Sequence, residues 1–197
     1  SMSGDGDTIV VGASYNDGNG TDAGHARIYD WNGSSWVQRS NDIDGQSAAD
    51  YSGQSVSISD DGNTMALSSP GNNSNGNDSG HVRIFTWSGT AWTAVGNPIV
   101  GESAEDKINN VSISTDGETI AVGATGNDGN GANSGHVRIY TWNGTAWVQQ
   151  GADIDGEAAG DMSGYSVALS DAGDTVAIGA PENDGNGSNA GHVRLYD

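Results

Sequence analysis

Cysteine is absent from this 197-residue chain, so neither disulfides nor thiolate metal sites hold it together. Proline occurs only three times and phenylalanine once. Basic residues are scarce, six against 26 acidic ones, which leaves a formal net charge of −20. That balance argues against nucleic acid, whose phosphates need Lys and Arg, and against anionic membranes. It favours solubility and attraction for cations. No apolar run approaches the length of a membrane-spanning helix. No long stretch carries an apolar period of 3.6 residues either, so helices are not the main element. What is plentiful is Gly, 32 residues, together with Asn, Asp and Ser. Such a composition on its own points to disorder, but evenly spaced clusters of Val, Ile, Tyr and Trp oppose that reading.

The even spacing is a repeat. "GHARIYDWNGSSW" (24–36), "GHVRIFTWSGTAW" (80–92), "GHVRIYTWNGTAW" (135–147) and a shortened "GHVRLYD" (191–197) are copies of one phrase. The Asp-Gly turn glycines Gly6, Gly62, Gly117 and Gly173 and the phrase glycines Gly24, Gly80, Gly135 and Gly191 are both spaced by 56, 55 and 56 residues. The short interval arises where "DKINNVSIS" replaces the longer "DYSGQSVSIS" and "DMSGYSVALS". Each unit divides into four short strands. "SVSIS" alternates, an Asp-Gly hairpin turns the chain, and "TMALSS" or "TIAVGA" follows. After a polar loop of roughly ten residues, "HVRIYTW" alternates again, turns at "NGTA", and returns as "WVQQ". Four antiparallel strands at this period predict an all-β β-propeller built from blades of about 56 residues, with about 3.5 repeats in the chain. The units fall near 1–54, 55–109, 110–165 and 166–197 of a single propeller or propeller segment.

"SGYSVALSDAGDTVAIGAPENDGNGSNAGHVRLY" resembles the FG-GAP repeat of integrin-α-like propellers. An aromatic-Gly pair near the inner strand, "GAP" after the second strand and a Gly-x-Val-x-x-Tyr strand carry that resemblance. It extends to every unit, with departures. "GAP" is complete only at Gly179-Ala180-Pro181, and the aromatic and Gly are rearranged. The DxDxDG Ca²⁺ loop common in the family is replaced by short turns such as "SDDGNT". The resemblance therefore implies the fold more strongly than the family's metal site.

Two sets of residues are candidates for chemistry. His25, His81, His136 and His192, with Arg27, Arg83, Arg138 and Arg194 two residues on, share one strand face in every unit. One copy per blade suits packing between blades better than catalysis, and the paired tryptophans suit a cross-strand clamp. Strand parity puts the long loops 15–24, 71–80, 126–135 and 182–191, and the links that join units, at one end of the blades. Their Asp and Asn oxygens and Gly bends suit a hard cation such as Ca²⁺. Asp17, Asp128 and Asp184 head the same loop in three units and are the candidate metal ligands.

Near-identical units offer no unique acid–base or nucleophile constellation, so no catalytic residue is assigned and an enzyme is not expected. The expected function is a non-catalytic binding or adhesion module, extracellular or at a cell surface. It would present acidic Asx/Gly loops to a protein or glycan partner. The alternatives are a structural repeat scaffold that assembles into a larger ring and, less favoured, a propeller glycosidase or lyase. The strand-one phrase is complete three times, strands two and three occur four times and strand four three times. Open strand edges of this kind invite a second chain. The expected partner is another copy, making a homodimer that completes a ring of seven or eight blades.

Overall fold

The Asp-Gly turns reverse the chain as their chemistry requires: Gly6, Gly62, Gly117 and Gly173 sit at φ between 68° and 79°, left-handed backbone that Gly adopts without strain. The computed structural model, which describes residues 1–197, places a strand after every such turn and before all but the first, and contains no helix. The first blade holds β1 (Thr8–Ala13), β2 (His25–Trp31), β3 (Trp36–Gln38) and β4 (Ile43–Asp44). Both β3 and β4 pair with β2, as two pieces of one outer strand. Met2 bridges to Ile9 and so fills the inner position.

The second blade repeats this with β5 (Val56–Ile58), β6 (Thr64–Ser69), β7 (His81–Trp87), β8 (Trp92–Ala94) and β9 (Ile99–Val100). In the third, β10 (Ile108–Ile113), β11 (Thr119–Ala124) and β12 (His136–Trp142) are followed by a continuous β13 (Trp147–Asp155). The fourth has β14 (Ser166–Leu169), β15 (Val176–Ala180) and β16 (His192–Tyr196). Every ladder is antiparallel and runs from the inner to the outer strand in chain order.

Register assigns each residue a face. Leu67 lies opposite Arg83 and Met65 opposite Phe85, while Ala66 lies opposite Ile84 and Ser68 opposite Val82. The first set turns toward the preceding blade and the second toward the next. The hydrophobic clusters show this directly. One joins Val10, Ala26, Ile28 and Ile43 to Ile58, Met65, Leu67 and Phe85. A second joins Ala66, Val82, Ile84 and Ile99 to Ile108, Val111, Ile120, Val122 and Tyr140. The third joins Ala121 and Val137 to Val167, Val176 and Ile178. Each cluster is a slab between two blades, so the core comes as three slabs. Because both faces of the second strand are covered, "TIAVGA" is apolar almost throughout instead of alternating.

Polar groups complete the slabs. Inner strands of neighbouring blades are linked by side chains. Ser55 Oγ and Ser57 Oγ accept from the backbone N–H of Val111 and Ile113. Asn110 Oδ1 and Ser112 Oγ accept from Val167 and Leu169 in the same way. Where the chain crosses between blades the backbones nearly touch. A Cβ on Gly123 would lie 2.2 Å from the Gly164 carbonyl oxygen. At the shortened link the opposing residue is Ser68, whose Oγ donates to the Asn109 carbonyl at 3.2 Å.

The repeated His and Arg also belong to the slabs. Arg138 Nη1 and Arg194 Nη1 each lie 3.4 Å from a glutamate of the preceding link, Glu102 and Glu157. His81 is fully buried, and neither ring nitrogen has a hydrogen-bond partner. Burial, reinforced by the Arg83 charge, pushes its pKa from 6.5 down to about 4. The tryptophans clamp the outer hairpins, with ring centroids 5.5 Å apart in all three pairs. Trp147 Nε1 also donates to the Val95 carbonyl of the preceding blade.

Two expectations follow from this packing. Ile120 has no exposed surface, and an Ile120→Asp carboxyl there would have no partner. That variant should lose several kcal/mol, at least the roughly 2–7 kcal/mol of an unpaired buried polar group, and an unchanged urea midpoint would contradict the slab assignment. His81 adds a pH dependence. Its folded pKa lies below the 6.5 of the open chain, so the unfolded state takes up the proton first. Its stability contribution is complete above pH 6.5 and declines as pH falls toward 4, by about 3 kcal/mol. Calorimetric melts between pH 7 and 5 should show this slope, and His81→Gln should flatten it.

Candidate functional site

The long loops and the links meet at one end of every blade, opposite the Asp-Gly turns. Each loop is held by its own Asx residues. Asn16, Asn72, Asn127 and Asn183 accept through Oδ1 from the backbone N–H two residues on, at 2.8, 3.0, 2.8 and 2.9 Å, the geometry of an Asx turn. The next residue closes the loop. Asp17, Asp128 and Asp184 accept through Oδ1 from the N–H groups of Asp22, Asn133 and Asn189 at 2.9, 2.8 and 2.7 Å. In the second blade Asn73 does the same for Asp78 at 2.7 Å. The four donor residues have φ between 50° and 54°, a left-handed conformation that Asn and Asp tolerate better than other side chains.

Each of the three candidate aspartates is therefore in its own blade, and the structure does not gather them into one site. Each spends one carboxylate oxygen on its loop and leaves Oδ2 without a protein partner. Asn73 shows that an amide closes the loop equally well, so turn closure alone does not account for the carboxylate at the other three positions.

Loop and link are stapled together. Asn19, Asn75 and Asn130 donate through Nδ2 to the carbonyls of Gly45, Gly101 and Gly156 at 2.7–2.8 Å. Asp50, Asp106 and Asp161, each 2% exposed, accept through Oδ2 from two N–H groups at the start of their own link. They also accept from Asn72, Asn127 and Asn183 of the following loop. Sequence reading passed over both groups. Their signal is recurrence at one repeat position, because the partners that join loop to link lie more than twenty residues away.

Between the third blade's loop and its two flanking links lies an open cleft of about 350 Å³, lined by Glu102, Asp106, Asp128, Asp153 and Asp155 among others. It is a concentration of negative charge with few cations. Two groups of residues have metal-ligating atoms within 4.8 Å of one another: His25 with Asp42 and Asp44, and Glu102 with His136 and Asp153. Each is already engaged with an arginine. Arg27 donates three hydrogen bonds to Asp42 at 2.8–3.0 Å, and holds its carboxyl below the usual range. Arg138 lies against Glu102. Burial and the Arg138 charge likewise lower the His136 pKa. In the second blade Pro98 and Val100 stand where Asp42 and Asp44 stand in the first, so His81 has no such partners. The cleft can hold cations or cationic groups.

Residues 153–196 match the family model of the FG-GAP repeat. Comparison with the curated proteins gives no match. Solved structures resemble the whole chain. Hydrazine synthase of Kuenenia stuttgartiensis aligns with a TM-score of 0.60 at 16% identity, over 100% of this chain and 44% of that one. The β-propeller domain of the Trilobed protease from Pyrococcus furiosus aligns at 0.56 and 10%, over 97% and 51%. The periplasmic gluconolactonase of Pseudomonas aeruginosa aligns at 0.54 and 11%, over 90% and 48%. The chain thus spans about half the length of these structures. Two of the three are enzymes by name, so the fold is compatible with catalysis as well as binding, and the likeness does not support the expectation of a non-enzyme. No helix is long and apolar enough to cross a membrane. Four blades of one repeated sequence and these neighbours show a β-propeller repeat protein, and its last repeat, residues 153–196, is similar to the FG-GAP repeat.

Proposed function

We propose that the long-loop face is the binding surface of an extracellular or cell-surface adhesion module, non-catalytic, that holds a protein or glycan partner with Ca²⁺ as a bridging ion. The observation that carries this reading is the acidic cleft of about 350 Å³ built by stapled loops and links. Asn-to-carbonyl hydrogen bonds hold both walls, so its carboxylates are positioned before a ligand arrives and little ordering entropy is lost on binding. Asp128 Oδ2 and Asp155 are oxygen donors of the kind a hard cation prefers. Asp17 and Asp184 occupy the matching loop position of the first and last blades. The FG-GAP match supports a surface location, and the net charge of −20 suits a cationic or cation-bridged partner.

Calorimetric titration with Ca²⁺, melts with Ca²⁺ and with EDTA, and retention on immobilised glycans and cell-surface proteins test the proposal together. A Ca²⁺-dependent rise in melting temperature is expected, with loss of heat and of ligand retention in Asp128→Asn. Retention without Ca²⁺ heat would remove the ion and keep the surface. No retention on any probe, with variants of the loop face behaving as the parent, would favour a scaffold. Turnover of a retained glycan would make the module an enzyme.

A further inference from the structure

The two ends of the four-blade array expose the two halves of its own internal interface. On the first blade, the face turned away from the second exposes Val11 at 47%, whereas Leu67, Val122 and Ile178, at the same repeat position, are at most 1% exposed. On the fourth blade, the outward face exposes Val193 and Leu195 at 70% each. Their counterparts Ala26, Ile28, Val82, Ile84 and Val137 are buried. The fourth blade does not close onto the first.

A hydrogen-bonded chain runs through the array and stops at the same two ends. Gly4 N–H donates to the Asp60 carbonyl, Asp60 N–H to Thr115, and Thr115 N–H to Asp171, at 2.9, 3.0 and 3.0 Å. These four residues hold one position in the repeat, just after the inner strand. Asp171 N–H is the donor left over at one end, and the Gly4 carbonyl is the acceptor left over at the other. Ser166, at the repeat position of Ser55 and Asn110, is likewise an inner-strand acceptor without a donor.

We infer that these end faces dock on a second copy of this chain, head to tail, closing a two-fold ring of eight blades. The blade-four face, Val193 and Leu195 with Asp171 N–H and Ser166 Oγ, packs on the partner's Val11 face and Gly4 carbonyl. It repeats the inner, three-strand part of the contact made three times within each chain. The occupant is a copy because the two faces are complementary in register, polarity and hydrogen-bond direction, as the internal slabs demonstrate. The number is two because propellers typically close with four to eight blades, and four blades here stay open. A head-to-tail contact must close in this way or polymerise. Two such junctions form together, so neither apolar face is left exposed. Net charge of −20 on each copy opposes assembly, so raising salt should strengthen it. The inference is independent of what the loop face binds.

Light scattering after size exclusion, across protein concentrations at physiological and raised salt, tests it. The expected mass is twice the 20.0 kDa of the chain. Leu195→Asp and Val11→Asp change exposed side chains, so both should keep the parent's circular dichroism and elute as monomers. A parent that stays at 20.0 kDa at every concentration overturns the proposal and means that other blades cover these faces. A dimer unaffected by either substitution overturns it as well, by placing the contact elsewhere. Growth into long assemblies overturns the closed ring.

Discussion

Blade against blade is the contact on which everything else depends. A four-stranded sheet with a single apolar face would pack once and stop. Here both faces of each inner three-strand unit are apolar, so each blade needs a neighbour on either side. Met65 and Leu67 face one slab while Ala66 faces the next. The small residues on one side and larger ones on the other let the sheets approach closely near the axis, where Gly123 meets Gly164. Half-buried Ser and Asn then supply what backbone pairing cannot. The inner strands are too far apart for a ladder, and the side-chain oxygens of Ser55, Ser57, Asn110 and Ser112 satisfy the N–H groups that would otherwise be orphaned.

Local chemistry made most of the blade legible. Asp-Gly turns, alternating strands and the Trp-flanked hairpin depend on residues close in sequence, and the structure has each of them at the predicted place. The repeat period was equally plain, and the shortened link between the second and third units has a structural counterpart in Ser68 opposite Asn109. What sequence reading could not reach is non-local. Asn130 finds the Gly156 carbonyl and Asp106 finds Asn127 only because a blade brings loop and link together. Asp17, Asp128 and Asp184 illustrate a different difficulty. Asx and Gly serve turns and cations with the same atoms, and the loop uses one oxygen of each of these aspartates for the turn.

The histidines show how a repeated residue can be structural and still costly. His81 and His136 lie with ring nitrogens unpartnered, a burial that proteins ordinarily avoid. Burial first, and the adjacent arginine's charge second, keep the ring neutral. Each arginine in turn reaches a link of the preceding blade. Arg83, Arg138 and Arg194 donate to the carbonyls of Asp44, Val100 and Asp155. In the first blade Arg27 turns instead to Asp42 of its own blade. That switch of partner marks the position as one built for contact between blades.

In an array this uniform, specificity has to come from places where symmetry fails. The failures concentrate in one sector. The second blade replaces the link aspartates by Pro98 and Val100, puts Asn73 where its neighbours have Asp, and carries Glu105 beside Lys107 at 3.3 Å. The same link supplies Glu102 to the acidic cleft, whose other carboxylates come from the third blade and its links. Ile99 keeps its buried place, so the apolar frame tolerates the change while the polar surface alters. A uniform scaffold thus supports one distinctive surface between the second and third blades. Repeated staples hold that surface in place, and its carboxylates recur in other units, Glu102 as Glu157 and Asp128 as Asp17 and Asp184, so the altered second-blade link is what sets it apart.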